Sequence, residues 1–395
     1  AGDDGLFLAR DPLGVAPLYY GERDGRLCFA SEVKALLAMT DSVTEFPPGH
    51  YYHPSCGFVQ FFDFPRIVDE PQNPVDAAHD LRKMLGDAVS KCVAVSDSVG
   101  CWLSGGLDSS TIAALACLHS PKLDTFAVGV AGCSDLEYAR AVARHIGSRH
   151  HELLVTGDQL LHVLPEVIYH LESFDRSLVR SAVPNYFLAK LASEHVKVVL
   201  TGEGADELFA GYAYLDRFVD WDDLHRELHA ITAALHNTNL QRVDRMTMAH
   251  GLEGRVPFLD REVVAWGLSI PPWFKKDRRR NLAKWCLRAA FSGTGLLPEE
   301  IIWRGKEKFA EGTGVAAILA AMAEERVSDA DYGREIALGM PLRSKEECYY
   351  FQLFQSFSGP FGPGIGLLCP ANVFFKCRRV KCFRFETGCG REGCS

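Results

Sequence analysis

A run of serines, glycines and one aspartate between residues 104 and 110 is the part of the sequence best suited to phosphate chemistry. The run reads Ser104-Gly105-Gly106-Leu107-Asp108-Ser109-Ser110 and follows an apolar segment that ends at Leu103. Backbone N–H groups of a strand–loop–helix junction converge on one spot, where the helix dipole also favours an anion. Glycine lets a phosphate approach the backbone because no Cβ intervenes. The pattern therefore predicts a phosphate-binding loop.

This loop differs from the common nucleotide-binding motif, in which a lysine follows the last glycine. The pattern S-G-G-x-D-S is instead typical of enzymes that cleave ATP between its α- and β-phosphates. Asp108 would lie beside those phosphates, where a divalent cation would offset the repulsion between like charges. The alternative is a plain Gly-Gly turn between a strand and a helix. The six matched positions in the expected context favour the phosphate-binding function.

Two carboxylates follow the last strand that we predict in the central part of the chain. They lie in Thr201-Gly202-Glu203-Gly204-Ala205-Asp206-Glu207. Glu203 and Asp206 would repel a triphosphate unless a metal ion intervened, so one of them could bind Mg²⁺ while the other acts as an acid–base group. The alternative is a helix N-terminus that carries stabilising acids. The pairing with the first loop favours the functional interpretation.

Lysines at 306 and 308 form a further candidate element. A lysine near the α-phosphate would offset the charge that develops during attack at phosphorus. Lysines at this spacing are also typical of a solvated surface, and the sequence leaves both alternatives open for Lys306 and Lys308.

The elements that must position these groups alternate between strand and helix over residues 77–201. Apolar patterns predict strands at 99–103, 124–130, 150–155 and 196–201. Helical patterns fall at about 76–92, 109–119, 135–146 and 182–195, with less regular helical structure around 158–172. This order predicts an α/β fold with a parallel sheet and helices on both faces. Ligands of such sheets bind beyond the carboxyl ends of the strands, where both loops lie.

The remaining segments suggest four regions. Residues 1–62 contain short strands and turns, with a hairpin around Asp24-Gly25, and residues 63–76 are a proline-containing linker. Residues 77–357 are the main domain, helical after residue 207, with helix starts near Asp222, Asp260, Arg280 and Ser344 and a helix at Val315 to Arg326. Residues 358–395 are rich in Cys and Gly, and we expect this tail to be disordered.

Composition excludes several classes of protein. The 395-residue chain has a formal net charge of −9, which argues against general nucleic-acid binding. No apolar run is long enough to span a membrane. The start at Ala1 suggests a fragment and shows no export signal, so we expect the eight cysteines outside the tail to be reduced thiols in the cytoplasm.

Taken together, these segments resemble glutamine-dependent asparagine synthetases, which are class II amidotransferases. The resemblance covers about residues 5–357, and residues 10–19 resemble the end of the glutaminase domain. It implies a sheet of the adenine nucleotide alpha-hydrolase-like, ATP pyrophosphatase type, a helical C-terminal region and an N-terminal remnant of a β-rich glutaminase (N-terminal nucleophile hydrolase-type) domain. The segments that carry it are 103–110 (LSGGLDSS), 126–129 (FAVG), 202–207 (GEGADE), 254–260 (GRVPFLD) and 303–309 (WRGKEKF).

The resemblance also implies roles for individual residues. ATP and pyrophosphate would be bound by Leu103, Ser104, Gly105, Gly106, Asp108, Ser109, Ser110, Val128, Thr201 and Gly202, with Leu103, Val128 and Gly202 at the adenine and ribose. Mg²⁺ would be held by Asp108 and Asp206. The catalytic residues would be Glu203, Lys306 and Arg180.

The implied reaction converts aspartate to asparagine through β-aspartyl-AMP, with release of AMP and pyrophosphate. Nitrogen would come from glutamine in a full-length protein and from ammonia in this fragment, in which no glutaminase activity is expected because the N-terminal catalytic Cys is missing. The partners would be these small molecules and a second copy in a homodimer, with neither nucleic acid nor membrane. The alternatives are a related synthetase that adenylates another carboxylate, β-lactam-forming or peptide-modifying, and a non-catalytic nucleotide-binding remnant.

Overall fold

The computed structural model describes residues 6–40, 42–64, 73–94, 96 and 98–357. Its N-terminal part contains two small antiparallel sheets of three strands, ordered β1-β5-β6 and β3-β2-β4. The predicted hairpin is confirmed, because Asp24 and Gly25 adopt positive φ in the turn between β2 and β3. The elements are β1 (Leu8–Ala9), β2 (Tyr19–Arg23), β3 (Arg26–Ala30), α1 (Val33–Leu37), β4 (Val43–Glu45), β5 (His50–His53) and β6 (Gly57–Gln60).

The central part is a five-stranded sheet with the order β11-β10-β7-β8-β9, and every pairing in it is parallel. The four predicted strands are confirmed. The fifth, β11, was not predicted because its three residues include no apolar side chain. The elements are α2 (Pro74–Val93), β7 (Val99–Trp102), α3 (Leu107–His119), β8 (Asp124–Gly129), α4 (Ser134–Ile146), β9 (Arg149–Leu154), α5 (Gly157–Leu171), α6 (Arg176–Ser193), β10 (Val198–Leu200) and β11 (Glu253–Arg255).

Helices cover both faces of this sheet, as predicted. Successive side chains of a strand point to opposite faces, and β10 shows the consequence. Val198 and Leu200 pack into one apolar cluster with α2, α3 and α4. Val199 packs into a second cluster with α5 and α6. The sheet is therefore the middle layer of three.

The C-terminal part is mainly helical. Its elements are α7 (Ala205–Leu208), α8 (Trp221–Ala233), α9 (Asn239–Met248), α10 (Arg261–Ser269), α11 (Pro272–Lys275), β12 (Lys276–Asp277), β13 (Leu282–Ala283), α12 (Trp285–Phe291), α13 (Glu299–Ile302), α14 (Phe309–Gly312), α15 (Val315–Arg326), α16 (Asp329–Ala337) and α17 (Lys345–Phe357), with 3₁₀ turns at Ala213–Arg217, Leu235–Asn237 and Pro257–Leu259.

The predicted helix start near Arg280 is wrong. Arg280 lies in the turn between β12 and β13, where Asp277 accepts hydrogen bonds from two backbone N–H groups of that turn. The starts near Asp222, Asp260 and Ser344 are confirmed. Helix α6 begins six residues before the predicted position because Asp175 caps it, accepting a bond of 2.9 Å from Leu178 N.

The domain boundaries stay a prediction. Much of the proposed linker and the whole tail at 358–395 lie outside the described residues. All eight cysteines in the described ranges are free of disulfides, as expected. Within those ranges, no helix combines the length and the apolar character needed to cross a bilayer.

The order of the strands determines where a ligand can bind. From β7 the chain adds β8 and β9 on one side, and then returns to place β10 on the other side of β7. The loops that leave the carboxyl ends of the neighbouring strands β7 and β10 therefore begin side by side, at the point where the strand order reverses. Such a reversal is where α/β sheets bind their ligands.

Candidate active site

The loop after β7 has the form of an anion site. Gly105 has a φ of +71°, and a Cβ at this position would collide with Tyr138. Gly106 is the N-cap of α3 and offers no side-chain cap, so the first N–H groups of this helix stay available. Ser104 and Ser109 face each other, with their hydroxyl oxygens 3.0 Å apart. The loop therefore presents backbone and hydroxyl donors together.

The loop after β10 lies against the first loop. A Cβ on Gly202 would lie 2.8 Å from the backbone N of Ser109 and 2.9 Å from the Cβ of Asp108. Only glycine permits this approach, because a real Cβ would push the two loops apart. The turn continues through Gly204, at a φ of +96°, into the short helix α7. The structure thus brings the two predicted loops together.

Asp108 and Asp206 are joined by a lysine that the sequence analysis missed. The Lys284 ammonium lies 2.5 Å from an oxygen of Asp108 and 2.6 Å from an oxygen of Asp206. Lys306 approaches from the exposed side, with its Nζ 2.6 Å from Asp206 and 3.8 Å from Asp108. Two carboxylates and two ammonium groups therefore form one compact cluster, which we call the Asp–Lys cluster (Asp108, Asp206, Lys284 and Lys306).

Lys306 thus belongs to the Asp–Lys cluster, whereas Lys308, two residues further along the chain, does not. The Lys308 side chain is 75% exposed and its nearest acidic group, Glu311, is 3.9 Å away. Lys308 therefore lies on a solvated surface, whereas the role of Lys306 near an α-phosphate stays a prediction.

The backbone around Lys284 is unusual. Lys284 is 2% exposed and has a φ of +58°, a left-handed conformation that costs a residue with a Cβ free energy. Its side chain passes Gly211, where a Cβ would collide with both Lys284 and Asp206. Gly211 and Lys284 are functional candidates that no pattern in the sequence indicates. Lys284 lies in a run of charged residues, and 73 residues separate it from Gly211.

The electrostatics of the Asp–Lys cluster keep Asp206 and Lys306 charged. Burial acts to raise the pKa of Asp206, but the ammonium groups of Lys284 and Lys306 outweigh it and hold that pKa well below its usual range. Burial acts to lower the pKa of Lys306, but the charges of Asp206 and Asp108 raise it above its usual range.

Glu203 lies beside this cluster and is held by an arginine of α9. Arg242 donates a hydrogen bond of 2.5 Å to one oxygen of Glu203, and it donates another of 3.1 Å to Asn239. Arg242 is 7% exposed, so this contact is shielded from water. The second carboxylate oxygen of Glu203 has no hydrogen-bond partner among the described residues. Arg242 was not singled out from the sequence, because one arginine in an amphipathic helix carries no signal.

A buried acid, Glu207, follows Asp206 and is linked to the Glu203–Arg242 pair through Asn239. It accepts hydrogen bonds from Tyr212 and, at 3.1 Å, from Asn239. Burial, followed by the charge of Asp206, raises the pKa of Glu207 to about 7, although the bond from Tyr212 opposes the shift. This acid therefore takes part in a buried hydrogen-bond network with Tyr212 and Asn239.

Arg180 is placed differently from the other candidates. Its guanidinium forms two hydrogen bonds, of 2.7 and 2.5 Å, with Glu346 of α17. Tyr350 donates a further bond of 2.7 Å to the same carboxylate. No hydrogen bond or ion pair within the described part of the chain joins Arg180 to the Asp–Lys cluster, so its role in the site stays a prediction.

The predicted nucleotide-binding residues lie at the same edge of the sheet. Leu103 and Val128 are buried at the carboxyl ends of the neighbouring strands β7 and β8, with their side chains in the clusters on opposite faces of the sheet. Thr201 is also buried, and its N–H bonds to Arg255 O of β11 at 2.9 Å. Ser110 is fully buried in α3, and its hydroxyl has no hydrogen-bond partner. The structure brings these residues together but does not test their roles.

The fold and these two loops define an α/β protein with a candidate phosphate site at the reversal of strand order. The family model described as asparagine synthase matches residues 80–222 and 216–352. A second, described as a glutamine amidotransferase domain, matches residues 1–38. The chain belongs to the asparagine synthase family, which confirms the resemblance given by its motifs.

Individual relatives agree with the family match. The chain is 37% identical over 388 residues to a probable asparagine synthetase (glutamine-hydrolyzing) of Schizosaccharomyces pombe, covering 89% of this chain and 69% of that protein. It is 35% identical over 404 residues to asparagine synthetase (glutamine-hydrolyzing) 1 of Saccharomyces cerevisiae, covering 89% and 70%. Among solved structures, an NMN synthetase from Francisella tularensis covers 73% of this chain and 95% of its own, at 13% identity and a TM-score of 0.34, too low to bear on the fold.

Proposed function

We propose that this protein is an ATP-dependent amide ligase that converts aspartate to asparagine through β-aspartyl-AMP, releasing AMP and pyrophosphate. The observation that carries the proposal is the meeting of the Ser-Gly-Gly loop with the loop of Glu203 and Asp206 at the reversal of strand order. Membership of the asparagine synthase family supports aspartate as the acceptor. The relatives of both yeasts are named asparagine synthetases. No observation favours a different carboxylate or a non-catalytic remnant.

The first step activates the aspartate side chain. A β-carboxylate oxygen attacks the α-phosphorus of ATP, and the bond from that phosphorus to the bridging oxygen breaks as pyrophosphate leaves. The hydroxyls of Ser104 and Ser109 and the N–H groups at the start of α3 hold the phosphates. The Lys306 ammonium offsets the charge that develops on the α-phosphate.

Arg180 is proposed to bind pyrophosphate or aspartate. Its Nε and Nη2 are engaged with Glu346, so Nη1 is the guanidinium nitrogen that remains for the ligand. The adenine and ribose are proposed to lie against Leu103, Val128, Thr201 and Gly202.

The second step forms the amide. Ammonia attacks the acyl carbon, the bond between that carbon and the AMP oxygen breaks, and AMP leaves. The attacking nitrogen must lose a proton, and Glu203 is the proposed acceptor. Arg242 fixes one oxygen of this carboxylate and leaves the other available, which suits that role. The nitrogen is supplied as ammonia, or as the product of glutamine hydrolysis when a glutaminase acts with this domain.

Mg²⁺ is the proposed metal, with Asp108 and Asp206 as the residues that would hold it. One oxygen of Asp108 is buried without a hydrogen-bond partner, and carboxylate oxygens are the ligands that this ion prefers. The residues therefore fit the ion. When bound, Mg²⁺ supplies positive charge against the phosphates of ATP.

Aspartate-dependent exchange of labelled pyrophosphate into ATP tests the proposal against its alternatives. We expect exchange with aspartate, and no exchange above background with a panel of other carboxylic acids. We also expect ammonia-dependent release of AMP that the variant Glu203→Gln loses, whereas the exposed control Glu324→Gln retains it. Exchange with another acid but not with aspartate would overturn the choice of substrate. Near-zero rates in both wild type and Glu203→Gln would favour a non-catalytic protein.

The proposed location of the protein is a reducing compartment, and its proposed oligomeric state is a homodimer. The free cysteines suit the cytoplasm, where thiols stay reduced. Light scattering of the purified chain would measure its oligomeric state, with the mass of two chains as the expected result.

A further inference from the structure

Lys284 occupies the position that a metal ion shared by Asp108 and Asp206 would need. One ammonium group lies within hydrogen-bond distance of both carboxylates. The side chain is 3% exposed, so the contact is buried. A divalent cation that bridged the same two oxygens would have to displace this ammonium.

The structure gives Lys284 no easy alternative position. Its backbone is fixed in a left-handed conformation at the start of α12, where its N–H bonds to Phe209 O at 3.2 Å and its carbonyl accepts from Arg288 N at 3.0 Å. The stem of the side chain lies so close to Gly211 that even a methyl group there would collide with its Cε. Both ends of the lysine are therefore constrained, and left-handed backbone in a non-glycine residue is typically retained where function requires it.

The charge balance of the Asp–Lys cluster also disfavours binding of a free divalent cation. Two carboxylates face two ammonium groups, because Lys306 lies 2.6 Å from the second oxygen of Asp206. The cluster therefore has no net negative charge, and its attraction for Mg²⁺ does not compensate for removing the water that this ion holds tightly. A bound triphosphate changes this balance. Its negative charges attract the lysines, and its oxygen atoms are additional ligands for the metal.

We propose that Lys284 acts as an internal counter-ion that prevents the apoprotein from taking up a free divalent cation, so that the metal enters only together with a polyphosphate. This inference rests on the proposed function for the identity of that polyphosphate. Lys284 is thus a residue that determines the order of binding, and it keeps two buried carboxylates neutralised when no nucleotide is present.

Equilibrium dialysis against Mn²⁺, a probe for Mg²⁺, measures the effect without any catalytic turnover. We expect the wild-type chain alone to retain no Mn²⁺ at concentrations where about one ion per chain is retained with α,β-methylene-ATP, which resists cleavage at the α,β position. Lys284→Met should retain Mn²⁺ without nucleotide, at least about tenfold more tightly than wild type. The double variant Lys284→Met/Asp206→Asn should lose this gain.

Three controls make the outcomes decisive. Lys284→Arg keeps the charge and should behave as wild type, and Lys308→Met removes an exposed lysine and should do the same. Lys284→Gln replaces Lys284→Met if circular dichroism shows that the latter does not fold. Stoichiometric Mn²⁺ on the wild-type apoprotein would overturn the inference, as would folded Met and Gln variants with no gain in affinity. Neither result touches asparagine formation by the wild type, so a failure of the proposed function remains distinguishable.

Discussion

Arg242 donates a hydrogen bond of 2.5 Å to Glu203, and this contact determines how the proposed proton acceptor is presented. The arginine belongs to α9, whose next turn carries Arg245, so the acid is fixed from a helix rather than from its own loop. Without the Arg242 guanidinium, the Glu203 carboxylate is free to rotate, and contacts with solvent determine its position.

The first prediction follows from this contact. Arg242→Met should lower kcat for ammonia-dependent asparagine formation by about tenfold to hundredfold, with the KM for ATP changed by less than about threefold because phosphate contacts are retained. Arg242→Lys should recover part of kcat. Arg226→Met, which alters an arginine that is 70% exposed, is the matched control, and equal losses of kcat in both variants would contradict the role of Arg242.

A second prediction concerns the space beside the Asp–Lys cluster. Gly211→Ala should lower the free energy of unfolding by about 1–3 kcal/mol, because the new methyl group collides with Asp206 and Lys284. Gly86→Ala provides a control of opposite sign. Gly86 lies inside α2 with no heavy atom within 4 Å of an added Cβ, so alanine should stabilise the chain by about 0.5–1 kcal/mol. Urea denaturation measures both changes, and a neutral Gly211→Ala would contradict the packing described.

A third prediction concerns pH. The pKa of Glu207 is about 7 in the folded chain and its ordinary value is 4.5. The folded state therefore binds more protons than the unfolded state between these values, so this group makes the free energy of unfolding fall as pH rises from about 4.5 to 7. Glu207→Gln should remove a pH-dependent component on the order of 1–3 kcal/mol. If the free energy of unfolding changed with pH in the same way for wild type and Glu207→Gln, the prediction would be wrong.

A fourth prediction concerns the contact between α1 of the N-terminal part and the helices α5 and α9. Arg245 is 2% exposed and bonds to Glu172 at 2.9 Å. Glu172 in turn accepts from the backbone N–H groups of Val33 and Lys34 at the start of α1. Arg245→Met removes the buried guanidinium from this ion pair and leaves the carboxylate with its backbone donors and with Lys34 Nζ at 3.6 Å, so it should cost about 3 kcal/mol of unfolding free energy. Arg334→Met, in an exposed pair with Asp331, should cost less than about 1 kcal/mol; similar losses in both would count against a structural role for Arg245.

Much of the fold could be predicted from the sequence because the central elements have strong local patterns. The strands around Val99 and Val198 are short apolar runs between helical segments, and the alternation requires a parallel sheet. β11 could not be found in this way, since its hydrogen bonds to β10 rather than its own side chains make it a strand. The sequence around Arg280 predicts a helix start, whereas the structure has a hairpin there because Asp277 accepts hydrogen bonds from the backbone N–H groups of the turn.

The site was predictable only where it is local. Ser104 to Ser110 and Thr201 to Glu207 are continuous motifs, and the parallel sheet brings their ends together. Lys284 reaches the same place from 176 positions beyond Asp108, and no spacing in the sequence reports such a contact. The motifs therefore predict the candidate anion-binding loop, its acids and Lys306, whereas Lys284 and Arg242 are found only from the tertiary structure.

The fate of the aspartate oxygen tests the central claim most directly. When the side-chain carboxylate of aspartate is labelled with ¹⁸O, attack on the α-phosphorus places one labelled oxygen between carbon and phosphorus, and attack by ammonia leaves it on AMP. Mass spectrometry of the products should show one ¹⁸O in each AMP and asparagine in equal amount, with neither formed by Asp206→Asn. Unlabelled AMP, or label found only in inorganic phosphate, would contradict an aspartyl-adenylate formed at this site.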